Sequence, residues 1–483
     1  MILNNGLLRL LLCFGLCNTL FVLSNGQNSE QPNNKHRVIV LTDISYFEPD
    51  DAQSLVRLLL YSNQIDIEGL IASTNEVRRN QIFPEIIEKT IEAYGKVQPN
   101  LLKHEAGFPT AQSLLPLIKK GLPLYGMEGV GKGKDSEGSE WIIKMLKKKD
   151  NRPLWVSIWG GSTVLAQTLW KIKETHTATE AAQLINKLRV YAISDQDDTG
   201  AWIRKNFPDL FYIVSPGSYE SGTWSSIMKV IPKANNEVIS NFWIAENIQQ
   251  GHGALGAAYP SVVFGMEGDT PAFLHLINNG LNAPEHPDWG SWGGRYELYI
   301  PPFDSIQKAK VPMQPETRPI WTNATDKFMP MVEAKFGRSL VKDTLHFSDH
   351  FVSLWRWREE FQYDFAARMD WCVKDFQHAN HPPQVALNSA ETFTVKSGER
   401  FVLDGTKSTD PDGDALIYHW FYYPEAGTYK GEVRIFPENN MQALSLAPTV
   451  ETQHTIHFIL KVTDRGTPRL SRYKRVIVTV LPK

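Results

Sequence analysis

The clearest change of period along the chain falls between Val38 and Leu60. Val38-Ile39-Val40-Leu41 is a short, wholly apolar run, the pattern of a strand buried on both faces of a parallel sheet. From Ala52 the apolar positions are Ala52, Leu55, Val56, Leu59 and Leu60, which line one face of a helix. Strand and helix patterns then alternate as far as Val214, as βαβ architecture requires. Residues 67–73, 153–159, 188–193 and 211–214 read as further strands. Three of these runs end in small or polar residues: Thr74-Asn75, Gly160-Gly161-Ser162-Thr163 and Ser194-Asp195-Gln196-Asp197-Asp198. In open α/β sheets the ligand crevice lies beyond the carboxyl ends of the strands, so a site is expected among them. The glycine pair alone is weak evidence, because tight β–α turns use glycine whatever their function.

After an irregular stretch, 220–320, rich in Gly, Pro and Trp, residues 330–340 and 353–373 read as helices that close the first domain. From Gln384 the period becomes two. Short alternating runs at 392–395, 401–403, 416–420, 455–462 and 476–480 argue a β-sandwich of about a hundred residues. The division expected is a leader at 1–26, an α/β domain at 35–380, a linker at 381–384 and the sandwich at 385–483. His378-Ala379-Asn380-His381-Pro382-Pro383 stops any helix at the boundary.

The chain has 483 residues, enough for two or three domains. Its formal net charge of −3 supplies no basic field, so neither nucleic acid nor an anionic membrane is an expected partner. Residues 1–26 carry one basic residue, Arg9, before an apolar run and then Ser24-Asn25-Gly26. That reads as a secretory signal cleaved near Gly26, the alternative being an uncleaved anchor. A secreted location, extracellular or periplasmic, is therefore expected. Cys13 and Cys17 lie inside the leader, so its removal leaves Cys372 alone and no internal disulfide. No other apolar stretch is long enough to span a bilayer, and no stable membrane insertion is expected.

Chemistry concentrates in the first strand–helix connection. Asp43, Glu48, Asp50 and Asp51 crowd one turn. Such carboxylates repel one another unless a cation neutralises them, and hard cations such as Ca²⁺ prefer oxygen ligands. The plainer reading is a capped helix, with Asp50 or Asp51 as N-cap. Further on, Asp269 precedes Thr270-Pro271 at another helix start, where Thr270 is the local N-cap candidate. His286 to Tyr296 form a loop with two Trp, two adjacent Gly and Arg295; its rings either offer a stacking surface or pack inward. In the sandwich, Asp410, Asp412 and Asp414 either bind Ca²⁺ or belong to a solvated Pro-Asp-Gly turn. Trp420-Phe421-Tyr422-Tyr423 supplies aromatics, of which alternation should send two inward.

Strand, Thr42-Asp43, a loop, then Asp50-Asp51 opening a helix resembles the nucleoside hydrolase signature Asp-Thr-Asp-Pro-Gly-x-Asp-Asp. The longer form, Thr42 to Ser73, is similar to secreted nucleoside hydrolase-like proteins related to cellulose-binding protein Sde0182, and the loop at 286–296 matches that branch. Residues 404–414 resemble the first turn of PKD-like, immunoglobulin-type modules, with Trp420 as the core Trp. The resemblance implies an α/β, nucleoside hydrolase-like fold, its mainly parallel sheet flanked by helices, followed by a small all-β immunoglobulin/PKD-like sandwich. It implies Ca²⁺ held by Asp43, Asp51, Asp269 and a backbone carbonyl near Ile193. Asp43 is then the general base, while Asp50 and Asn75 bind sugar hydroxyls. The implied activity is hydrolysis of a glycosyl bond, of N-glycosyl or ribosyl type, in a carbohydrate or nucleoside-like small molecule. The alternative is a protein that binds cellulose or another polysaccharide without turnover.

Two departures bear on activity. Leu41 stands where the hydrolases have their first Asp, and Gly268 precedes Asp269 where they have the His that assists the leaving group. Glu48 and Glu267 are the remaining candidates for that acid.

Overall fold

The computed structural model describes residues 35–216, 222–263, 265–303, 314–333, 340–342 and 345–483. The expected leader lies outside them. Among the described residues no helix is long and apolar enough to cross a membrane.

The first module is built on strands β1 His36–Thr42, β2 Ile65–Ala72, β3 Ile118–Lys120, β4 Leu154–Ile158, β5 Leu188–Ala192, β6 Phe211–Val214, β7 Tyr296–Tyr299 and β8 Ile320–Asn323. Their order in the sheet is β3-β2-β1-β4-β5-β6-β8-β7. All neighbours run parallel except β7 and β8. The chain moves outward from β1 to β3, then returns to lay β4 on the other side of β1. That reversal opens a crevice between the carboxyl ends of β1 and β4. The side chains of Val38 to Leu41 are fully buried, so each contributes roughly 1.5–3 kcal/mol.

Helix α1, Asp50–Leu60, is buried almost all round rather than on one face. Its polar side serves as a docking surface. Gln53 Oε1 accepts the backbone N–H of Glu267 at 2.9 Å, and Gln53 Nε2 donates to the carbonyl of Pro260. Thr270 meets Ser54 at 3.0 Å, and Arg57 Nη2 donates to Glu267 Oε1 at 3.0 Å. These bonds carry the segment around residue 269 to the start of α1, more than two hundred residues away in sequence.

In the stretch read as a helix at 330–340, the described residues are paired backbone instead, and residues 334–339 lie outside the description. Strands β9 Asp326–Phe328, β10 Met331–Glu333, β11 Leu340–Lys342 and β12 Phe347–Asp349 form two small antiparallel pairs, β10 with β11 and β9 with β12. Met331 and Glu333 favour helix locally, but antiparallel pairing with β11 a few residues on supplies backbone hydrogen bonds that single-residue propensity does not contain. The second half of the expectation holds, with helices at Val352–Trp355 and Arg358–Asp370.

The C-terminal module has seven strands: β13 Thr392–Lys396, β14 Arg400–Asp404, β15 Ile417–Tyr422, β16 Ile435–Phe436, β17 Gln442–Leu446, β18 His454–Thr463 and β19 Ser471–Leu481. They form two sheets, β13-β19-β18-β15 and β14-β17-β16, over a core that contains Trp420. The two modules also share a core. Tyr423, Ala426, Ile459 and Tyr473 belong to one buried cluster with Trp292, Trp357 and Phe361. Ion pairs join the faces: Arg472 to Asp364 at 2.6 Å and Lys461 to Glu360 at 2.8 Å. The expected linker is packed between them, His381 lying 2.9 Å from His104 on one side and 2.9 Å from Asp412 on the other.

The loop at 286–296 turns its rings inward. Trp292 is fully buried, Trp289 stacks on His286 and meets His457 of the sandwich, and Arg295 pairs with Asp326. Trp420 and Tyr423 are the two buried members of the aromatic run.

Candidate functional site

Asp50 and Asp51 occupy the first turn of α1, yet neither caps it. The N-cap is Pro49, and no side-chain cap bond is made. Freed from capping, the two carboxylates face Asp269. Asp50, Asp51 and Asp269 each present an oxygen within 4.8 Å of the others. Asp43 flanks this group from the end of β1, its charge acting on both Asp51 and Asp269. The closest set of three thus contains Asp50, expected as a sugar ligand, with Asp43 beside it.

All four carboxyls are almost wholly buried, and Asp43 is the most exposed at 8%. Burial, followed by the charges of Glu48 and Asp50, pushes the Asp43 acid up to about 8. Asp50, Asp51 and Asp269 are raised as well, burial again leading. Such a cluster costs stability unless something neutralises it. Its hydrogen bonding is also incomplete. Asp51 accepts from Thr42, Asp43 from Asn75 and Asp50 from Trp224. Asp43 Oδ1, Asp50 Oδ1 and Asp269 Oδ2 have no partner among the described residues. Orphaned buried carboxylate oxygens converging from three parts of the chain are the donor set a hard divalent cation takes.

Asn75, just beyond the end of β2, reaches Asp43. Its amide nitrogen donates to Asp43, while its carbonyl oxygen accepts the backbone N–H of Val77 at 2.8 Å. Both ends of the amide are bonded within the protein and the side chain is buried, so Asn75 orients Asp43. Ile193 directly follows β5, its N–H bonded to the carbonyl of Ile158 and its side chain in the core.

The glycine pair after β4 has a reason other than turn geometry. A Cβ on Gly160 would lie 2.3 Å from Asp43 Oδ1, and one on Gly161 would lie 2.4 Å from Asp197 Oδ2. Bare backbone is needed where carboxylates approach this closely. The acids after β5 are spent on scaffolding. Asp195 forms a two-pronged pair with Arg204 at 2.9 Å, Asp197 accepts from Thr163 and Thr199, and Asp198 accepts the N–H of Met127.

Trp224 is the residue that sequence reasoning missed. Its indole N–H donates to Asp50 Oδ2 at 2.8 Å. Its ring lies on the backbone of Gly268, where a Cβ would fall 1.8 Å from Nε1, and on Gly265, where one would fall 2.5 Å from Cη2. The indole fills the space that a side chain before Asp269 would need. Glu267 offers no replacement acid. It is fully buried, paired with Arg57, and accepts from Tyr259 at 2.7 Å and Thr270 at 3.0 Å. Glu48 stays half-buried at the edge of the cluster.

In the sandwich, Asp410, Asp412 and Asp414 also bring oxygens within 4.8 Å of one another. There Asp410 Oδ1 accepts the N–H groups of Asp412 and Asp414 and Asp412 holds His381, while Asp410 Oδ2 has no partner among the described residues.

Comparison with known proteins places this architecture. The family profile described as "Cellulose-binding Sde182, nucleoside hydrolase-like domain" matches residues 37–296, and that described as "Cellulose-binding protein Sde0182, C-terminal domain" matches 400–480. A solved structure of a nucleoside hydrolase-related hypothetical protein from Saccharophagus degradans, described as associated with carbohydrate metabolism, is 34% identical. The match covers 92% of this chain and 100% of that one, with a TM-score of 0.76. A PKD domain solved in solution covers 21% of this chain at 22% identity and a TM-score of 0.16, too low to bear on the fold of the sandwich. No curated protein matches. With more than half its length under the first profile and nearly all of it aligned to a solved relative, the chain belongs to the Sde182 family, whose members carry a nucleoside hydrolase-like domain.

Proposed function

We propose that the first module is a cation-dependent hydrolase of glycosyl bonds, of N-glycosyl or ribosyl type, exported by the segment 1–26. The observation that carries the reading is the set of orphaned oxygens on Asp43, Asp50 and Asp269 at the switch point of the sheet. Asp50, Asp51 and Asp269 would hold a divalent cation, with Ca²⁺ expected, and Asp43 would complete the donor set. Such a cation, when bound, neutralises the carboxylates, grips adjacent sugar hydroxyls and acidifies water.

Asp43 serves as general base. Asn75 fixes one of its oxygens, and the other is left to take the proton of water attacking the anomeric carbon. Positive charge developing on the sugar ring is stabilised by the surrounding carboxylates. Departure of the leaving group is where this chain differs. Trp224 stands in the place of the acid, and an indole N–H donates a hydrogen bond but does not give up its proton. The substrates favoured are those whose leaving group departs without protonation.

The test is turnover of 4-nitrophenyl ribosides and glycosides beside the corresponding alkyl glycosides and nucleosides, with Ca²⁺ and with chelator. Calcium-dependent cleavage of the activated substrates alone is expected, and it should be lost in Asp43→Ala. The second reading, sugar binding without turnover, is favoured by the same Trp224. It prevails if the folded protein takes up calcium and sugar but cleaves none of these substrates.

A further inference from the structure

Asp410, Asp412 and Asp414 lie in the connection that leads into β15 at Ile417. Ile417 pairs with Thr463 at the end of β18, and the next residue is Asp464. The register therefore brings a fourth acid, from the far end of β18, to the same corner of the sandwich. Asp464 is fully buried, and the charge of Asp410 acts on it. Its Oδ1 accepts from Asn380 at 3.1 Å and from the N–H groups of Gly466 and Leu470, both at 3.0 Å. Its Oδ2 has no partner among the described residues, like Asp410 Oδ2, and both atoms are closed off from solvent. A turn whose acids were simply hydrated would leave those oxygens in water. Shut off beside two more acids, they cost stability unless a cation neutralises them.

The donors narrow the choice of cation. His381, the imidazole that touches the turn, has Nδ1 on Asp412 and Nε2 on His104, each at 2.9 Å. With both ring nitrogens taken, the corner offers oxygen alone, the ligand of hard cations. Ca²⁺ holds its oxygens at about 2.3–2.6 Å, so two of them lie no more than about 5 Å apart. Asp410, Asp412 and Asp414 meet that limit, an oxygen of each lying within 4.8 Å of the others. The smaller Mg²⁺ keeps several of its waters and takes one or two carboxylates, which suits a set of four poorly.

We infer that Asp410, Asp412, Asp414 and Asp464 form a calcium site in the sandwich, separate from the Asp cluster at α1. Asn380 and His381, neighbours in the linker, hold Asp464 and Asp412 from outside. An ion there ties the turn, the end of β18 and the linker into one unit. The site stands whether or not the cluster at α1 binds metal.

The test counts Ca²⁺ bound to the whole, chelator-treated chain by equilibrium dialysis. Asp464→Asn and Asp410→Asn each keep an oxygen to accept the backbone N–H groups and remove the charge. Each is expected to weaken one ion tenfold or more, and so to bind one Ca²⁺ fewer at concentrations that just fill wild type. Asp51→Asn, in the first module, should leave that ion in place. Without Ca²⁺ both sandwich variants should melt no lower than wild type, because a repelling charge is gone, and the rise in melting temperature on adding Ca²⁺ should shrink. If Asp464→Asn does not fold, Asp410→Asn on the half-buried turn decides alone. No uptake by wild type, wild-type uptake by the folded sandwich variants, or loss of every ion in Asp51→Asn would each overturn the inference. A single ion bound by wild type, lost in the sandwich variants and kept in Asp51→Asn, would uphold it and count against the hydrolase reading alone.

Discussion

Gly268→Ala tests how the site is built. An added Cβ would lie 1.8, 2.1 and 2.2 Å from three atoms of the Trp224 indole, whereas ordinary contact begins near 3.4 Å. The ring must therefore withdraw by more than an ångström, beyond the reach of its 2.8 Å bond to Asp50. Overpacking costs about 1–3 kcal/mol, and a lost hydrogen bond to a buried charged group about 1.5–3 kcal/mol. Asp50, whose other oxygen already has no partner, would then have neither satisfied. A loss of about 3–5 kcal/mol is expected, read as a shift in the urea midpoint by far-ultraviolet dichroism. The decisive comparison is a cycle with Trp224→Ala. Once the indole is gone the space at 268 is open, and Gly268→Ala should cost almost nothing. The reasoning fails if the alanine costs the same in both backgrounds, because Trp224 would then not be what keeps residue 268 bare.

Three further outcomes are expected. Metal-free protein should lose stability as pH rises from about 4 towards 8: Asp43 is held up to about 8 and its three neighbours are raised too, so over that window the folded state binds more protons than the unfolded one. Saturating Ca²⁺ should flatten that slope in thermal melts, and a flat metal-free profile would contradict the assignment. Glu267→Gln leaves Arg57 buried without its counter-charge and should destabilise by roughly 3–5 kcal/mol. It should not slow poor leaving groups more than good ones; a selective loss there would restore Glu267 as the acid. Residues 35–380 made alone should not yield a soluble, folded protein, because Trp357 and Phe361 would lose the sandwich side of their core, whereas the intact chain should unfold calorimetrically in one transition.

What could be read from the sequence was local. Asp43, Asp50 and Asp51 lie within one strand–helix connection, and the periods on either side fix where that connection falls. The apolar strand runs were legible because a strand buried on both faces has no polar positions to blur them. Asp269 could be joined to the group only through a family resemblance, since its route to α1 depends on Gln53, Ser54 and Arg57 facing inward. Helical periodicity assigned those same residues to the outside. Trp224 lies 174 residues from Asp50, in irregular chain without period or motif. The signal that could have revealed it is indirect: Gly265 and Gly268 are bare backbone at a place where something bulky has to fit. The bond from Asn75 to Asp43 was not legible, because spacing tells where a side chain is and not what it meets.

The shared core of the two modules fixes their mutual orientation, and with it how a polymer held by one would meet the other. A binding module on a flexible tether raises local concentration but lets its partner approach from any side. Here Tyr423 and Tyr473 pack into the same interior as Trp292 and Trp357, and His381 is clasped from both directions. Attachment through the sandwich would therefore also be aiming: each docking would present the first module along a single bearing relative to the strand. Bonds lying off that bearing would stay out of reach however tightly the polymer was held.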